Sequence, residues 1–372
     1  MKKKIGFYIH IPFCHSKCSY CDFYSISDFS LELKKNYLDR LLKHIDYMGC
    51  RFSNDYKPNT LFIGGGTPSI YSAEELGALV KRVQKNFNCE FLESTVEINP
   101  NVIDYNFIDK LYKGNFFNRI SFGLQSPFKK DNTYLGRNFN EKSVEILKYA
   151  LSIFENVSID MVCGYDGFNS EKIIEKLNLQ GILPKIKHIS LYMLKYSESF
   201  SEKFKEKICD DDIQVENYKK MINLIKKNNF KQYEISNFCK TNYECKHNLH
   251  YWKYHDYLGV GSNASIKFEN NIVCFPKLND YMMKDFEETI EDVENTEEYP
   301  DKIIMRMRLC EGMSFLELKK INPNLPDIMN ILYNRYKDCF KKDFDKISFS
   351  QKGFIFSNTL LSSMLEIMEE RK

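Results

Sequence analysis

Between residues 5 and about 240, short runs rich in β-branched and aromatic residues alternate with amphipathic stretches. The amphipathic stretches predict helices at 31–48, 72–86, 104–113, 141–153, 170–180 and 212–227. The second of them opens with Ser72 and Glu75 in the spacing of a capping box. The predicted strands are GFYIHI (6–11), TLFIG (60–64), STVEIN (94–99), RISFGL (119–124), VSIDMVC (157–163), HISLYML (188–194) and QYEIS (232–236). Repeated strand–helix alternation predicts an α/β fold with a parallel sheet, as an open sheet or as a full or partial (β/α) barrel.

The alternation stops after residue 240, which predicts a domain boundary there. We expect a core domain at 1–240 and a smaller α+β domain at 241–372. In the second part, 301–320 is expected to be helical with a break at Gly312, and 358–370 is expected to be a helix. The segment 346–356 predicts a hairpin around Gln351-Lys352-Gly353.

Bulk properties exclude some classes of function. The chain has 372 residues and no apolar run long enough to predict a membrane-spanning helix, and no signal-peptide pattern follows the basic start at 1–4. We therefore expect a cytoplasmic protein. The 53 Lys and Arg residues nearly balance the 51 Asp and Glu residues in charge. No dominant electrostatic attraction to nucleic acid is therefore expected.

The segment CHSKCSYC, directly after the first predicted strand, places three cysteines within eight positions. Thiolates are soft ligands that suit zinc or iron–sulfur clusters. Structural zinc takes four ligands, and His10 or His15 could supply the fourth, but the spacing is tighter than in zinc ribbons. A [4Fe-4S] cluster held by three cysteines keeps one iron open for another molecule, and we favour this interpretation for Cys14, Cys18 and Cys21. The other nine cysteines are scattered, as buried small residues usually are.

Further candidate residues fall at the carboxyl ends of the predicted strands, where ligand sites of such folds lie. Glycines 64–66 allow a close approach of the backbone to a ligand. Glu97 ends the third strand, and carboxylates in such places commonly bind ribose hydroxyls. Asp160 lies in an otherwise apolar strand and requires a partner, either Arg137 or a ligand.

These motifs, in this order, resemble the radical S-adenosylmethionine (SAM) superfamily. The resemblance implies a partial (β/α)6-type barrel with a smaller C-terminal domain. It also implies a [4Fe-4S] cluster on the three cysteines, whose open iron chelates the methionine portion of SAM. The positions that match the family's SAM contacts are Tyr8, Tyr20, Gly65, Gly66, Thr67, Glu97, Gln125, Arg137 and Asp160.

Nearly the whole chain is similar to the group that contains the oxygen-independent coproporphyrinogen III oxidase. Within this group, CDF after the third cysteine and the HNxxYW stretch at 247–252 resemble haem chaperones of the HemW type. The resemblance implies haem contacts at His247, His250, Tyr251 and Trp252. Imidazole can ligate haem iron and aromatic rings can stack on a porphyrin. The alternative is an aromatic lid that packs the accessory domain on the sheet, with His247 in a structural hydrogen bond.

One departure from the family pattern is Ser265, which occupies a position where HemW-like chains usually have histidine. The resemblance otherwise implies a haem chaperone that binds the cluster, SAM and haem. Its expected partners are an electron donor and client haemoproteins, with membrane-associated respiratory enzymes as candidates. Two alternatives stay open, namely oxidative decarboxylation of coproporphyrinogen III and a radical SAM methyltransferase. Catalytic residues, SAM cleavage and a homodimer are left undecided.

Overall fold

Six parallel strands, side by side in chain order, form the centre of the molecule. The structure is a computed structural model that describes residues 2–194, 205–206, 208–268, 271–286, 293–295 and 298–370. The six strands are β1 (Lys3–Ile11), β2 (Tyr56–Gly65), β3 (Glu93–Ile98), β4 (Arg119–Gln125), β5 (Val157–Cys163) and β6 (His188–Met193). They confirm the first six predicted strands and the α/β fold of the partial-barrel type. The strands are almost continuously buried, as expected for a parallel sheet that is covered by helices.

Helices follow these strands along the chain. They span Leu31–Phe52, Ala73–Phe87, Tyr105–Gly114, Lys129–Tyr134, Glu141–Ile153, Ser170–Leu179 and Asp211–Lys227, with a short 3₁₀ turn at Pro68–Ile70. The predicted capping box is confirmed. The Ser72 hydroxyl accepts the Glu75 N–H at 3.2 Å, and the Glu75 carboxylate accepts the Ser72 N–H at 2.7 Å. Both contacts satisfy amide groups that have no partner inside the helix.

The large sheet continues beyond the six strands on both sides. The strand β8 (Asn237–Cys239) pairs with β6 in antiparallel orientation, and β7 (Lys231–Gln232) pairs with β8. The predicted strand at 232–236 is therefore wrong in extent, because its second half turns away and Glu234 bridges to Leu309. On the other side, β9 (Tyr257–Val260) pairs with β1 in parallel, followed by β10 (Ser265–Phe268), β11 (Asn271–Cys274) and β12 (Val293–Asn295).

The C-terminal part contains short elements around a second apolar cluster, which runs from Ile303 to Met368. Its helices are Glu298–Arg306, Phe315–Ile321, Leu325–Arg335, Gln351–Ile355 and Ser357–Glu369, and a 3₁₀ turn lies at Lys337–Cys339. A small sheet has the order β13 (Met313–Ser314), β15 (Lys346–Phe349), β14 (Phe340–Lys342). The predicted break at Gly312 is confirmed by its φ of +61°. The predicted helix at 358–370 is confirmed as well.

The hairpin predicted around Gln351 to Gly353 is wrong. These residues open the Gln351–Ile355 helix, because the Ser350 hydroxyl accepts the Gly353 N–H as an N-cap. The turn of the real hairpin lies between β14 and β15. The domain boundary at residue 240 stays a prediction, although β9 to β12 belong to the large sheet.

The short helix Lys246–Trp252 lies between β8 and β9, and the short helix Leu278–Met283 lies between β11 and β12. Across the residues that the structure describes, no helix combines the length and the apolar character needed to cross a membrane.

Candidate functional site

The three clustered cysteines lie in a loop at the carboxyl end of β1. The loop is closed by two backbone hydrogen bonds, from Cys14 N to Ile26 O at 2.9 Å and from Ile26 N to Pro12 O at 2.7 Å. Cys14 is buried, and Cys18 and Cys21 are half-buried. Burial is the main cause that raises the pKa of Cys18 and of Cys21, and the neighbouring thiols raise both further. The fold therefore brings the three thiols together, while ligation by Cys14, Cys18 and Cys21 stays a prediction.

The glycine loop at the end of β2 lies directly on the cysteine loop. Gly66 N donates to Ile11 O at 2.7 Å, and Thr67 N donates to Phe13 O at 2.8 Å. The Thr67 hydroxyl lies 3.4 Å from Cys14 Sγ. Gly65 has a φ of +113°, a backbone conformation that favours glycine. The glycines thus allow two loops to meet where any side chain would keep them apart.

A side chain at Gly66 is expected to displace the cysteine loop. A Cβ atom there would lie 2.7 Å from Phe13 O and 3.0 Å from Cys14 Sγ. We predict that Gly66→Val lowers the iron and sulfide content of anaerobically reconstituted protein several-fold. The control is Gly181→Ala, where φ is +68° but nothing lies within 4 Å of the new atom. This control is expected to cost about 1 kcal/mol of stability and no iron. Equal iron content in both variants would contradict the prediction.

Two carboxylates lie further around the same end of the sheet. Glu97 accepts the Gly65 N–H at 3.2 Å. Burial, and secondarily Asp160, raises the pKa of Glu97 to about 8. Asp160 lies 3.4 Å from the Ser121 hydroxyl, and burial raises its pKa too. The ion pair considered between Asp160 and Arg137 is not formed, because serine hydroxyls face this carboxylate and Arg137 acts only as a nearby charge.

The raised pKa of Glu97 gives a pH dependence with a defined sign. The unfolded chain ionises this group near pH 4.5, whereas the folded protein keeps it protonated to about pH 8. The group therefore costs stability increasingly as the pH rises through this window. Glu97→Gln is expected to raise the free energy of unfolding at pH 8 by more than about 1 kcal/mol, and to leave it nearly unchanged at pH 4. Urea unfolding without added SAM, at both pH values, measures this difference. An equal effect at pH 4 and pH 8 would argue against it.

Arg137 and Gln125 complete this end of the sheet. The Arg137 guanidinium donates to Asn99 Oδ1 at 3.0 Å and to the Tyr20 hydroxyl at 3.4 Å. Gln125 has a φ of +59°, and its buried Oε1 atom has no hydrogen-bond partner in the described part of the chain. Buried amide oxygens are seldom left without a partner. The site therefore presents an unsatisfied acceptor on Gln125, whose amide nitrogen and the Arg137 guanidinium both lie next to Gly123.

Sequence reasoning gave no supporting role to two residues of this site. His10, considered only as a fourth zinc ligand, lies between the Tyr8 hydroxyl (3.0 Å) and the Tyr24 carbonyl (3.1 Å). Burial lowers its pKa to about 4. Asn99, which holds Arg137, follows Glu97 by two positions. The period of two along a strand could have found them. It places His10 on the same face as Tyr8, and Asn99 on the same face as Glu97.

The second predicted constellation lies closer to the amino-terminal half of the strands. The Lys246–Trp252 helix packs where Gly6, Thr60 and Glu93 share one layer of the sheet. This layer precedes the glycine loop by four residues of β2, or about 13 Å at 3.3 Å per residue. The Glu93 carboxylate accepts the N–H groups of Lys246 and His247, both at 2.9 Å. A carboxylate at a helix N-terminus satisfies orphan donors and complements the helix dipole.

His247 is part of this packing. Its Nδ1 atom lies 3.0 Å from the Thr60 hydroxyl, its Nε2 atom lies 2.8 Å from the Tyr251 hydroxyl, and the residue is only 1% exposed. Its ring stacks on Phe62 with centroids 5.3 Å apart. Burial lowers its pKa well below the usual value. His247 thus makes the structural hydrogen bonds that were considered as the alternative to haem contact.

The other three residues of the motif face different neighbours. His250 is buried, and its Nε2 atom lies 2.9 Å from Asn59 Oδ1. The Tyr251 ring meets Tyr257 edge to face. The guanidinium of Arg308 lies over the Trp252 ring at 5.6 Å. Haem contact by His247, His250, Tyr251 and Trp252 stays a prediction.

Known proteins are similar to this chain over nearly its whole length. Residues 8–179 match the model of the Radical SAM superfamily. The chain is 30% identical over 364 residues to "Heme chaperone HemW" of Buchnera aphidicola subsp. Acyrthosiphon pisum, covering 95% of this chain and 89% of the relative. It is 28% identical to the Escherichia coli protein of the same name, covering 97% and 98%. The solved coproporphyrinogen III oxidase (HemN) from Escherichia coli shares the fold, with a TM-score of 0.79, 18% identity, and coverage of 98% and 90%.

Proposed function

Because this chain belongs to the HemW-type family of the radical SAM superfamily, we propose that it is a haem chaperone, which binds haem and transfers it to client haemoproteins. The observation that carries this proposal is the separation of the two constellations. The cysteine and glycine loops lie at the carboxyl ends of the strands, whereas the Lys246–Trp252 helix bonds to Thr60 and Glu93, about four residues of β2 before the glycine loop. A radical reaction requires its substrate next to the reactive atom of the cofactor. Haem held beside that helix is cargo rather than substrate.

We propose further that Cys14, Cys18 and Cys21 hold a [4Fe-4S] cluster, and that SAM binds beside it. The residues fit this pair of groups in three respects. The glycine loop leaves no room for a Cβ atom next to Cys14 Sγ, Gln125 Oε1 is buried without a partner, and the Arg137 guanidinium lies next to Gly123. When bound, the reduced cluster and SAM would supply one-electron cleavage of the sulfonium.

The chain's own residues would bind and orient the cofactor. The backbone of Gly65, Gly66 and Thr67 would face its amino group, and Glu97 would accept hydrogen bonds from its ribose. Arg137 and Asp160 present opposite charges across the same end of the sheet. Tyr8 and Tyr20 would lie beside the cofactor, since His10 and Arg137 hold their hydroxyls. The cytoplasmic location, the electron donor, the clients and a homodimer stay predictions.

The test separates transfer from catalysis. Anaerobically reconstituted protein is mixed with haem and then with an apo-haemoprotein, and separately with coproporphyrinogen III, SAM and a reductant. We expect stable haem retention and transfer, and no appreciable formation of protoporphyrinogen. Turnover at about 1 per second or faster, which is ordinary for enzymes, would overturn the chaperone function in favour of the oxidase. Methylation of an added acceptor would instead favour the methyltransferase.

A further inference from the structure

The C-terminus of the Lys246–Trp252 helix brings two histidines together. Tyr254 follows the helix in the left-handed region, with a φ of +58°. Its N–H bonds to Tyr251 O, and the N–H of His255 returns to His250 O, both at 2.9 Å. This pair of bonds is the Schellman motif, which places the residue after the left-handed one against the last turn of the helix. Two apolar side chains usually meet there. Here two imidazoles meet instead, with their Nδ1 atoms 3.4 Å apart.

The contacts of His250 determine the proton positions on both rings. His250 is buried, and a neutral imidazole ring carries one N–H. The Asn59 Oδ1 atom can only accept, so His250 donates from Nε2 at 2.9 Å. Its Nδ1 atom therefore has a lone pair and faces Nδ1 of His255. His255 is a donor at Nδ1 in consequence, and its Nε2 atom keeps a lone pair.

Such a chain of hydrogen bonds is what orients histidine ligands of metals. A ligating imidazole almost always donates its other N–H to a neighbouring acceptor, which sets the tautomer and the ring orientation. His255 is exposed, whereas His247 is buried with both ring nitrogens in hydrogen bonds. Lys253, Arg306 and Lys3 are positive charges near His255, and Asp256 is a negative one. Lys3 pairs with Asp256, and Arg306 pairs with Glu311 and Glu317, so Lys253 is the one of these three charges that suits a propionate group of a haem.

We propose that His255, oriented by His250 and Asn59, is the ligand through which this chain binds haem iron. The proposal rests on the haem chaperone function and names the binding residue within it. His255 lies three positions beyond the HNxxYW stretch, so the ligand is a residue that the motif does not include. In this assignment His247 docks the helix on the sheet, and His250 acts as a positioning residue for His255.

The experiment is a titration of the full-length, cluster-loaded protein with ferric haem, followed by absorption and resonance Raman spectroscopy. The wild type is expected to show imidazole ligation. His255→Gly is expected to lose this signature, to bind haem at least about tenfold more weakly, and to regain the signature when free imidazole is added. Asn59→Leu is expected to weaken haem binding by about 10- to 100-fold without removing the ligand, as supporting partners of metal ligands do. Thermal unfolding of His255→Gly should stay cooperative, with a midpoint within about 4 °C of the wild type, because only one side-chain contact of a largely exposed residue is lost.

Glu90→Gly is the control, because it places a glycine at an exposed position outside both sites. Its haem spectrum is expected to equal that of the wild type. An unchanged imidazole signature in His255→Gly would overturn the proposal and leave the chaperone function intact. A wild-type protein that does not bind haem at all would instead overturn the proposed function.

Discussion

Replacing Glu93 by alanine is expected to lower the free energy of unfolding by about 3–5 kcal/mol, the range seen when a buried charge loses its partner. Glu93 is 2% exposed, accepts the backbone N–H groups of Lys246 and His247, and lies 3.4 Å from the Cys245 thiol. It is also one of the negative charges near the buried guanidinium of Arg119. Alanine would remove the acceptor of the two backbone N–H groups and a negative charge near Arg119. The Lys246–Trp252 helix should then separate from the sheet.

Urea unfolding and hydrogen exchange of residues 245–252 measure this effect. The matched control is Glu90→Ala, three positions earlier in the chain and exposed, which is expected to change stability by less than about 0.5 kcal/mol. Glu93→Gln keeps one acceptor oxygen and should fall between the two. A Glu93→Ala protein as stable as the Glu90→Ala protein would show that the carboxylate does not hold the helix.

Replacing Cys18 by alanine is expected to remove essentially all iron and inorganic sulfide from the reconstituted protein. A cluster that is held by three thiolates cannot lose one of them and keep its stability, because two open irons would face solvent. The fold itself should survive, since Cys18 is only half-buried and lies in a loop. Iron and sulfide analysis with circular dichroism separates the two effects.

Cys50→Ala is the control for this substitution, because Cys50 is exposed on the Leu31–Phe52 helix. It is expected to keep the iron and sulfide content of the wild type. Retention of four irons by the Cys18→Ala protein would contradict the assignment of the three cysteines. One zinc ion per chain in the wild type, without sulfide, would favour the zinc site that we considered as the alternative.

Local patterns predicted the elements well where sequence neighbours determine them. The capping box at Ser72 and the helix at 141–153 were placed correctly, because helix caps and amphipathic spacing act within one or two turns. The hairpin expected at Gln351 failed for the same reason. Ser350 caps a helix there, and a local hydrogen bond outweighs the turn tendency of Lys352-Gly353.

Residues that are far apart in the chain could be predicted only through the fold class. Cys14, Gly66 and Glu97 follow three different strands, and the parallel arrangement brings strand ends together. Contacts between individual side chains were not predictable in this way. Asp160 faces serine hydroxyls rather than forming an ion pair with Arg137, a choice that depends on distances of a few ångström.

The amino-acid sequence by itself determined the α/β alternation and the two groups of residues, because both depend on periodicity and on spacing within short segments. Only the tertiary structure decided that these groups contact different layers of the same strands. It also decided that His247 is enclosed by Thr60 and Tyr251 while His255 is exposed. The Thr60–His247 contact joins residues 187 positions apart. Such a contact forms only once the sheet has assembled, because no local propensity encodes which surface a helix will cover.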